Sequence, residues 1–202
     1  MSEFKIRASA SGQIMTNPQK KTDLISKTTL TYVDSWLKES IYGVRKEIKN
    51  KYLSKGLTLE DEAIDTAIDW LNLPFVLKNE NFFEDDFFCG TPDLILEDEV
   101  LDIKCSWDCF TFPLFETEIP TKDYFYQLQV YMHLTGKSKA RLVYVLLNTP
   151  EELTYEQKND YSNLDKKFRI KTFSIDYDKL VIEDLQSRVL NIRNHIKTIN
   201  YE

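Results

Sequence analysis

Gly90-Thr91-Pro92-Asp93-Leu94-Ile95-Leu96-Glu97-Asp98-Glu99-Val100-Leu101-Asp102-Ile103-Lys104 reads as two short apolar runs, Leu94–Leu96 and Val100–Ile103. An acidic turn at Glu97-Asp98-Glu99 folds them back on each other. Side chains alternate faces along a strand, so Asp102 and Lys104 share one face while Leu101 and Ile103 take the other. Asp93 joins the Asp102 face if the turn holds an even number of residues, for instance Asp98-Glu99, a register that sets Asp93 across from Lys104. An odd turn would put it on the opposite face. Two acids and a lysine on a half-buried sheet are costly unless a cation, or one another, compensates them. Such a group suits a hard divalent ion like Mg²⁺, which takes oxygen ligands and keeps several waters.

Pro92-Asp93, eight residues, then Asp102-Ile103-Lys104 resembles the PD-(D/E)xK nuclease motif. Gly90-Thr91 ahead of Pro-Asp is similar to the phage-type, lambda-exonuclease and YqaJ-like, branch of that superfamily. An ordinary hairpin with an edge Asp–Lys pair would read the same way, because D-x-K is short and common. The rest of the chain has to decide between them.

Leu24–Tyr52 is long, charged and helix-permissive, with Leu30, Val33, Trp36, Leu37, Ile41 and Val44 at helical spacing, and is read as one or two amphipathic helices. Lys55-Gly56 ends that region, and Thr58 with Asp61 offers a cap for a helix over about Leu59–Leu73. On it Glu60 aligns with Ile64, Ala67 and Leu71, whereas Glu62, Asp65 and Asp69 fall towards the polar side. An acid aimed inward wants a partner, which makes Glu60 a candidate metal ligand beside Asp93 and Asp102. Lys55-Gly56-x-x-x-Glu60-x-Glu62-Ala63 also resembles the helix that brings a glutamate to the metals in phage exonucleases.

A third segment follows in the same order. Pro120-Thr121 opens a helix, Lys122–Thr135, that Gly136 closes. On it Gln127, Tyr131 and Tyr124 share a face, and Phe125, Leu128 and Met132 form the buried stripe. Gln127-x-x-x-Tyr131 resembles the Gln-(x)₃-Tyr motif of the same branch, where an amide and a phenol can fix water or phosphate without adding charge. A polar rim at a helix end is the plain alternative. Near the start, Ser9-Ala10-Ser11-Gly12-Gln13-Ile14-Met15 is similar to the Ser-x-x-Gly-x-Ile-Met segment of these exonucleases. That resemblance implies that Ser9 and Arg7 contact phosphate at a DNA 5′ end, against a small-residue helix cap as the structural reading.

Elsewhere Phe82–Cys89 reads as a strand or hairpin and Ala140–Leu147 as the central strand of a mixed sheet covered on both faces. Cys105–Phe115 is an irregular, aromatic cover, and Glu151–Lys167 a helix or ordered loop. Phe168–Ile175 is a late strand, and Tyr177–Ile199 a helix whose Arg188, Arg193, His195 and Lys197 face solvent or DNA.

The 202 residues, 42% hydrophobic and 29% charged, fit one soluble domain. No run of about 18 apolar residues spans a membrane and Met1–Ala10 lacks a signal-peptide core, so a cytoplasmic location, in the host if viral, is expected. Three cysteines without a C-x-x-C pair argue against a disulfide framework, a zinc knuckle and an iron–sulfur cluster. His133 and His195 lie too far apart to suggest histidine chemistry. A net charge of −7 counts against a protein that coats nucleic acid through bulk electrostatics.

The combined expectation is an α/β, restriction-endonuclease-like core whose central mixed sheet is flanked by helices. The resemblance implies a Mg²⁺-dependent exonuclease, with Mn²⁺ able to substitute, that degrades linear double-stranded DNA from 5′ to 3′ in phage-type recombination. Glu60, Asp93, Asp102 and the Ile103 carbonyl would hold the metal, with Lys104, Gln127 and Tyr131 assisting. It also implies a single-strand annealing protein as partner and, in some members, a homo-oligomeric ring. A PD-(D/E)xK endonuclease, restriction-like or junction-cleaving, and an inactive DNA-binding module are the alternatives.

Overall fold

The computed structural model describes residues 3–20, 22–46, 50–154 and 160–199, with the side chains of Lys51 and Tyr52 left out. The chain opens on a two-residue strand, β1 (Ile6–Arg7), a 3₁₀ turn at Ala8–Ala10 and a single helical turn, α1 (Ser11–Ile14). Helix α2 (Lys27–Tyr42) starts where the Ser26 hydroxyl accepts the Thr29 N–H and stops at Gly43, whose φ of +65° suits a residue without Cβ. Of the apolar stripe expected here, Val33 and Leu37 are buried, but Ile41, in the last turn of the helix, and Val44, beyond its end, are exposed.

Helices α3 (Lys51–Thr58) and α4 (Glu60–Trp70) follow, joined at Leu59. Lys55-Gly56 therefore lies inside a helix instead of ending one, and the cap position of α4 is Leu59, with no side-chain cap from Thr58. Strands β2 (Phe83–Glu84) and β3 (Phe88–Gly90) form the expected hairpin, but it pairs with β1 in a separate small sheet of order β1-β3-β2.

The main sheet has the order β4-β5-β6-β7, built from β4 (Leu94–Ile95), β5 (Glu99–Cys105), β6 (Lys139–Val145) and β7 (Ile170–Asp176). Helix α5 (Lys122–Thr135) connects β5 to the parallel β6, the crossover a parallel pair requires. It begins at Thr121 and ends on Gly136, φ +68°, as the sequence indicates. Helix α6 (Lys179–Thr198) closes the chain. The sheet is mixed and covered on both faces, which bears out the restriction-endonuclease-like α/β expectation.

Strand alternation divides the core. Val100, Ala140, Leu142 and Tyr144 pack with α5 and α6, while Leu101, Ile103, Val143 and Val145 pack with Leu59, Ala63, Ile64 and Ala67 around α4. Residues 155–159 of the polar segment after β6 lie outside the described residues; around them only two 3₁₀ turns, Glu151–Leu153 and Lys166–Phe168, are regular. The arginines of α6 do not offer themselves to DNA. Arg193 is buried and donates to the Phe4 and Asp86 carbonyls, and Arg188 donates to the carbonyls of Ile14 and Thr16. Both hold the N-terminal segment in place. Among the described residues no helix is long and apolar enough to cross a membrane.

Candidate active site

The hairpin register decides what meets. Leu94 pairs with Leu101 and Ile95 with Val100, and the Leu96 N–H reaches the Glu99 carbonyl, so the turn is the two-residue Glu97-Asp98. An even turn does bring Asp93 to the Asp102 face, but one step further along this register sets Asp93 across from Asp102, not Lys104. The two carboxylates are neighbours, and the site's electrostatics follow from that.

Strand β4 is only two residues long, so beyond Leu101 the edge of β5 is open. Asp93 fills part of the gap: its Oδ2 accepts the Ile103 N–H at 2.6 Å, taking the place of a strand partner. The residue that the register brings opposite Ile103 is Pro92, which has no N–H to give the Ile103 carbonyl. A cavity of about 820 Å³ opens at this edge, walled by Ser9, Glu60, Asp93, Asp102, Ile103, Lys104, Gln127 and Tyr131 among others.

Asp102 is the fixed point. It is 2% exposed, and its Oδ1 accepts from Gln127 Nε2 at 3.0 Å, while the same amide donates to the Tyr131 hydroxyl at 3.1 Å. Gln127 and Tyr131 are therefore not a polar rim; both are buried, and the amide ties the acid to the phenol. Gly90 makes room for this, since a Cβ there would sit 2.8 Å from the Tyr131 ring. Asp102 Oδ2 lacks an aligned donor, but the Lys104 ammonium lies 2.6 Å away in an ionic contact and also stands 5.1 Å from the Tyr124 ring centre.

Burial, and after it the Asp102 charge, pushes the Asp93 carboxyl up to about 7, against the Lys104 charge and the Ile103 N–H that favour its anion. Burial works against the Lys104 cation, yet Asp102 and Asp93 outweigh it and hold its pKa above the ordinary lysine value. Burial raises the Tyr131 pKa as well, so the phenol keeps its proton at neutral pH.

Glu60 departs most from expectation. It lines the cavity, but its side chain is 42% exposed and its Oε1 lies 2.8 Å from Lys78 Nζ. Lys78 also holds Asp61, and those two contacts, Asp61 first, raise its pKa. Because α4 packs on the Leu101 and Ile103 face, Glu60 approaches from the side of the sheet opposite Asp102 and Lys104. The acids converge at the open edge, not on one face. Among the described residues no three carboxylates already stand close enough to surround an ion. The donors at the edge are nonetheless hard oxygens, including an Asp102 atom without an aligned hydrogen bond and a carbonyl facing a proline, a set whose chemistry would fit a hard divalent cation.

Ser9 lies in the cavity wall as expected. Arg7 is not among the lining residues; its Nη2 lies 3.3 Å from Glu39. Trp107 lines the cavity, while Phe110 is 93% exposed and covers nothing. Sequence reasoning missed Lys55, which is fully buried and donates to the carbonyls of Trp107 at 2.9 Å and Leu147 at 2.7 Å. Its alignment with Leu59, one helical turn on, was the available signal. Ser106 was missed too, although it extends the Asp102, Lys104 alternation by one step.

No family model matches the chain, and no curated protein does. Solved structures do match. A phage-related exonuclease from Haemophilus somnus 129PT is 26% identical with a TM-score of 0.83, over 96% of this chain and 94% of that one. The alkaline exonuclease LHK-Exo of Laribacter hongkongensis is 17% identical with a TM-score of 0.73, over 96% and 88%. A second structure of that exonuclease, in complex with dAMP, gives 19% identity and the same TM-score and coverage. The resemblance drawn from the hairpin, the Glu60 helix and the Gln127 helix is thus matched by a likeness that runs nearly end to end.

Proposed function

We propose that this chain, a nuclease of the phage-exonuclease type, hydrolyses phosphodiester bonds of linear duplex DNA from 5′ ends in a Mg²⁺-dependent reaction. The observation that carries the reading is the open edge of β5, where Asp93 is held at about 7 beside buried Asp102, with Lys104 against both. Such a pair is unfavourable by itself and becomes useful when a cation and a phosphate enter. The dAMP bound by the Laribacter exonuclease supports a deoxynucleotide strand as substrate.

Asp93, Asp102, the Ile103 carbonyl and, after release from Lys78, Glu60 would hold the ion; Mn²⁺ would replace it. Bound there, it supplies a Lewis acid that polarises the phosphate and acidifies water. Lys104 Nζ, charged throughout the physiological range, offsets the negative charge that builds on the phosphate oxygens. Gln127 Nε2 keeps Asp102 Oδ1 in one orientation, and Tyr131 presents a neutral hydroxyl. Ser9, at the cavity wall, would contact the terminal phosphate; Arg7 would have to leave Glu39 to join it. An annealing protein as partner and a ring of copies belong to the same reading.

The competing reading is an endonuclease with the same metal site. Linear duplex bearing 5′ phosphates should be shortened to mononucleotides while a closed circle survives. Linearisation of a supercoiled circle, lost in Lys104→Ala, would establish the endonuclease instead.

A further inference from the structure

Strand β5 does not stop chemically at Lys104. The Ser106 N–H bonds the Val145 carbonyl at 2.9 Å, so the extended backbone continues and the side chains of Asp102, Lys104 and Ser106 fall on one face. Among the described residues the buried side-chain polar atoms without a hydrogen-bond partner are Asp102 Oδ2 and Ser106 Oγ. Both border the same cavity. The first has an evident use in the proposed reaction; the second has none assigned. A buried hydroxyl left without a partner is unfavourable, which points to a partner that arrives from outside.

The surroundings say what kind. Directly behind the segment, the Lys55 ammonium holds the carbonyl of Trp107, the next residue, and that of Leu147. The Thr149 hydroxyl also donates to the Trp107 carbonyl, at 3.1 Å. The Trp107 carbonyl is held from two sides, which fixes the backbone that leaves Ser106. The hydrogen bonds of the Lys55 ammonium go to carbonyl oxygens, so its positive charge stands directly behind the Ser106–Trp107 segment. Burial lowers its pKa, against the charges of Asp108 and Glu62, which favour the cation.

Spacing completes the assignment. Residues i and i+2 on a strand are about 6.7 Å apart, close to the step between successive phosphates along one nucleic-acid strand. We propose that Ser106 Oγ donates a hydrogen bond to the phosphate adjacent to the scissile one, with Lys104 at the scissile phosphate itself. The inference rests on the nuclease reading, and deepens it by giving the site a second subsite along the strand.

The test combines a protein change with a substrate change. Ser106→Ala should raise KM for linear duplex about tenfold, the scale of one hydrogen bond to a charged group, with kcat within about twofold. Its melting temperature should be unchanged or higher, because the change removes an unpaired buried hydroxyl, and this separates lost binding from lost folding. A single neutral methylphosphonate in place of the adjacent phosphate should raise the wild-type KM similarly and add nothing further in Ser106→Ala. An unchanged KM in Ser106→Ala, a methylphosphonate penalty equal in both proteins, or a fall in kcat at constant KM would each overturn the subsite while leaving the nuclease reading intact. A wild-type protein that cleaves no DNA would overturn both.

Discussion

Asp93 is a half-buried carboxylic acid at the open sheet edge, with a second acid standing opposite. Its folded-state pKa of about 7 lies above the value of about 3.9 for an unfolded aspartate. The folded chain therefore binds this proton more tightly than the unfolded chain does. The associated stability is present in full below about pH 4 and is lost as pH rises through about 7. Asp93→Asn keeps an oxygen for the Ile103 N–H but never ionises. In EDTA its melting temperature should exceed wild type by several degrees at pH 8 and match it near pH 4, as read by calorimetry. An equal difference at both pH values would mean that the Asp93 charge is not what the fold opposes.

Gln127 is the other decisive residue, because one buried amide serves two partners. Gln127→Leu would leave Asp102 Oδ1 and the Tyr131 hydroxyl unpaired, at a cost of about 1–3 kcal/mol each. A loss of stability by denaturant titration together with a fall in activity is expected; unchanged stability would show that the two groups have other partners. At this scale the sequence was legible where alternation or helical spacing applied, as for Asp102 with Lys104 and Gln127 with Tyr131. Lys55 and Arg193 were not, because their partners are backbone carbonyls distant in the chain, which no local pattern marks.

Among the elements, the shortness of β4 matters most, because a longer strand would cover the β5 edge where the acids meet. The hairpin was visible in the sequence, but its exact register was not: a turn of Glu97-Asp98 and one of Asp98-Glu99 satisfy the same apolar pattern. Helix α4 shows the same limit. Periodicity separated Glu60 from exposed Glu62, Asp65 and Asp69, but it could not reveal that Lys78, from the segment after the helix, takes up Glu60. Glu60→Gln should lower cleavage at least about tenfold and Glu62→Gln less than about twofold. Lys78→Met, by freeing Glu60, should lower the Mg²⁺ concentration that gives half-maximal rate. Equal losses from the two glutamate changes would place the metal away from α4.

At the scale of the molecule, the order of the three matching segments anticipated the main sheet and its helices, whereas the pairing of β1 with the β2–β3 hairpin was hidden because β1 is two residues long. The net charge of −7 leaves little general attraction for DNA, so in the proposed reaction affinity would have to come from the cavity itself and from an ion held by its acids. That dependence makes the central claim simple to test. Linear duplex DNA is incubated with the wild-type protein and with Lys104→Ala, each in Mg²⁺, in Ca²⁺ and in EDTA, and released nucleotides are measured. Release by wild type in Mg²⁺ alone, with Lys104→Ala at background, is the predicted result; release that persists in EDTA, or that Lys104→Ala retains, would contradict it.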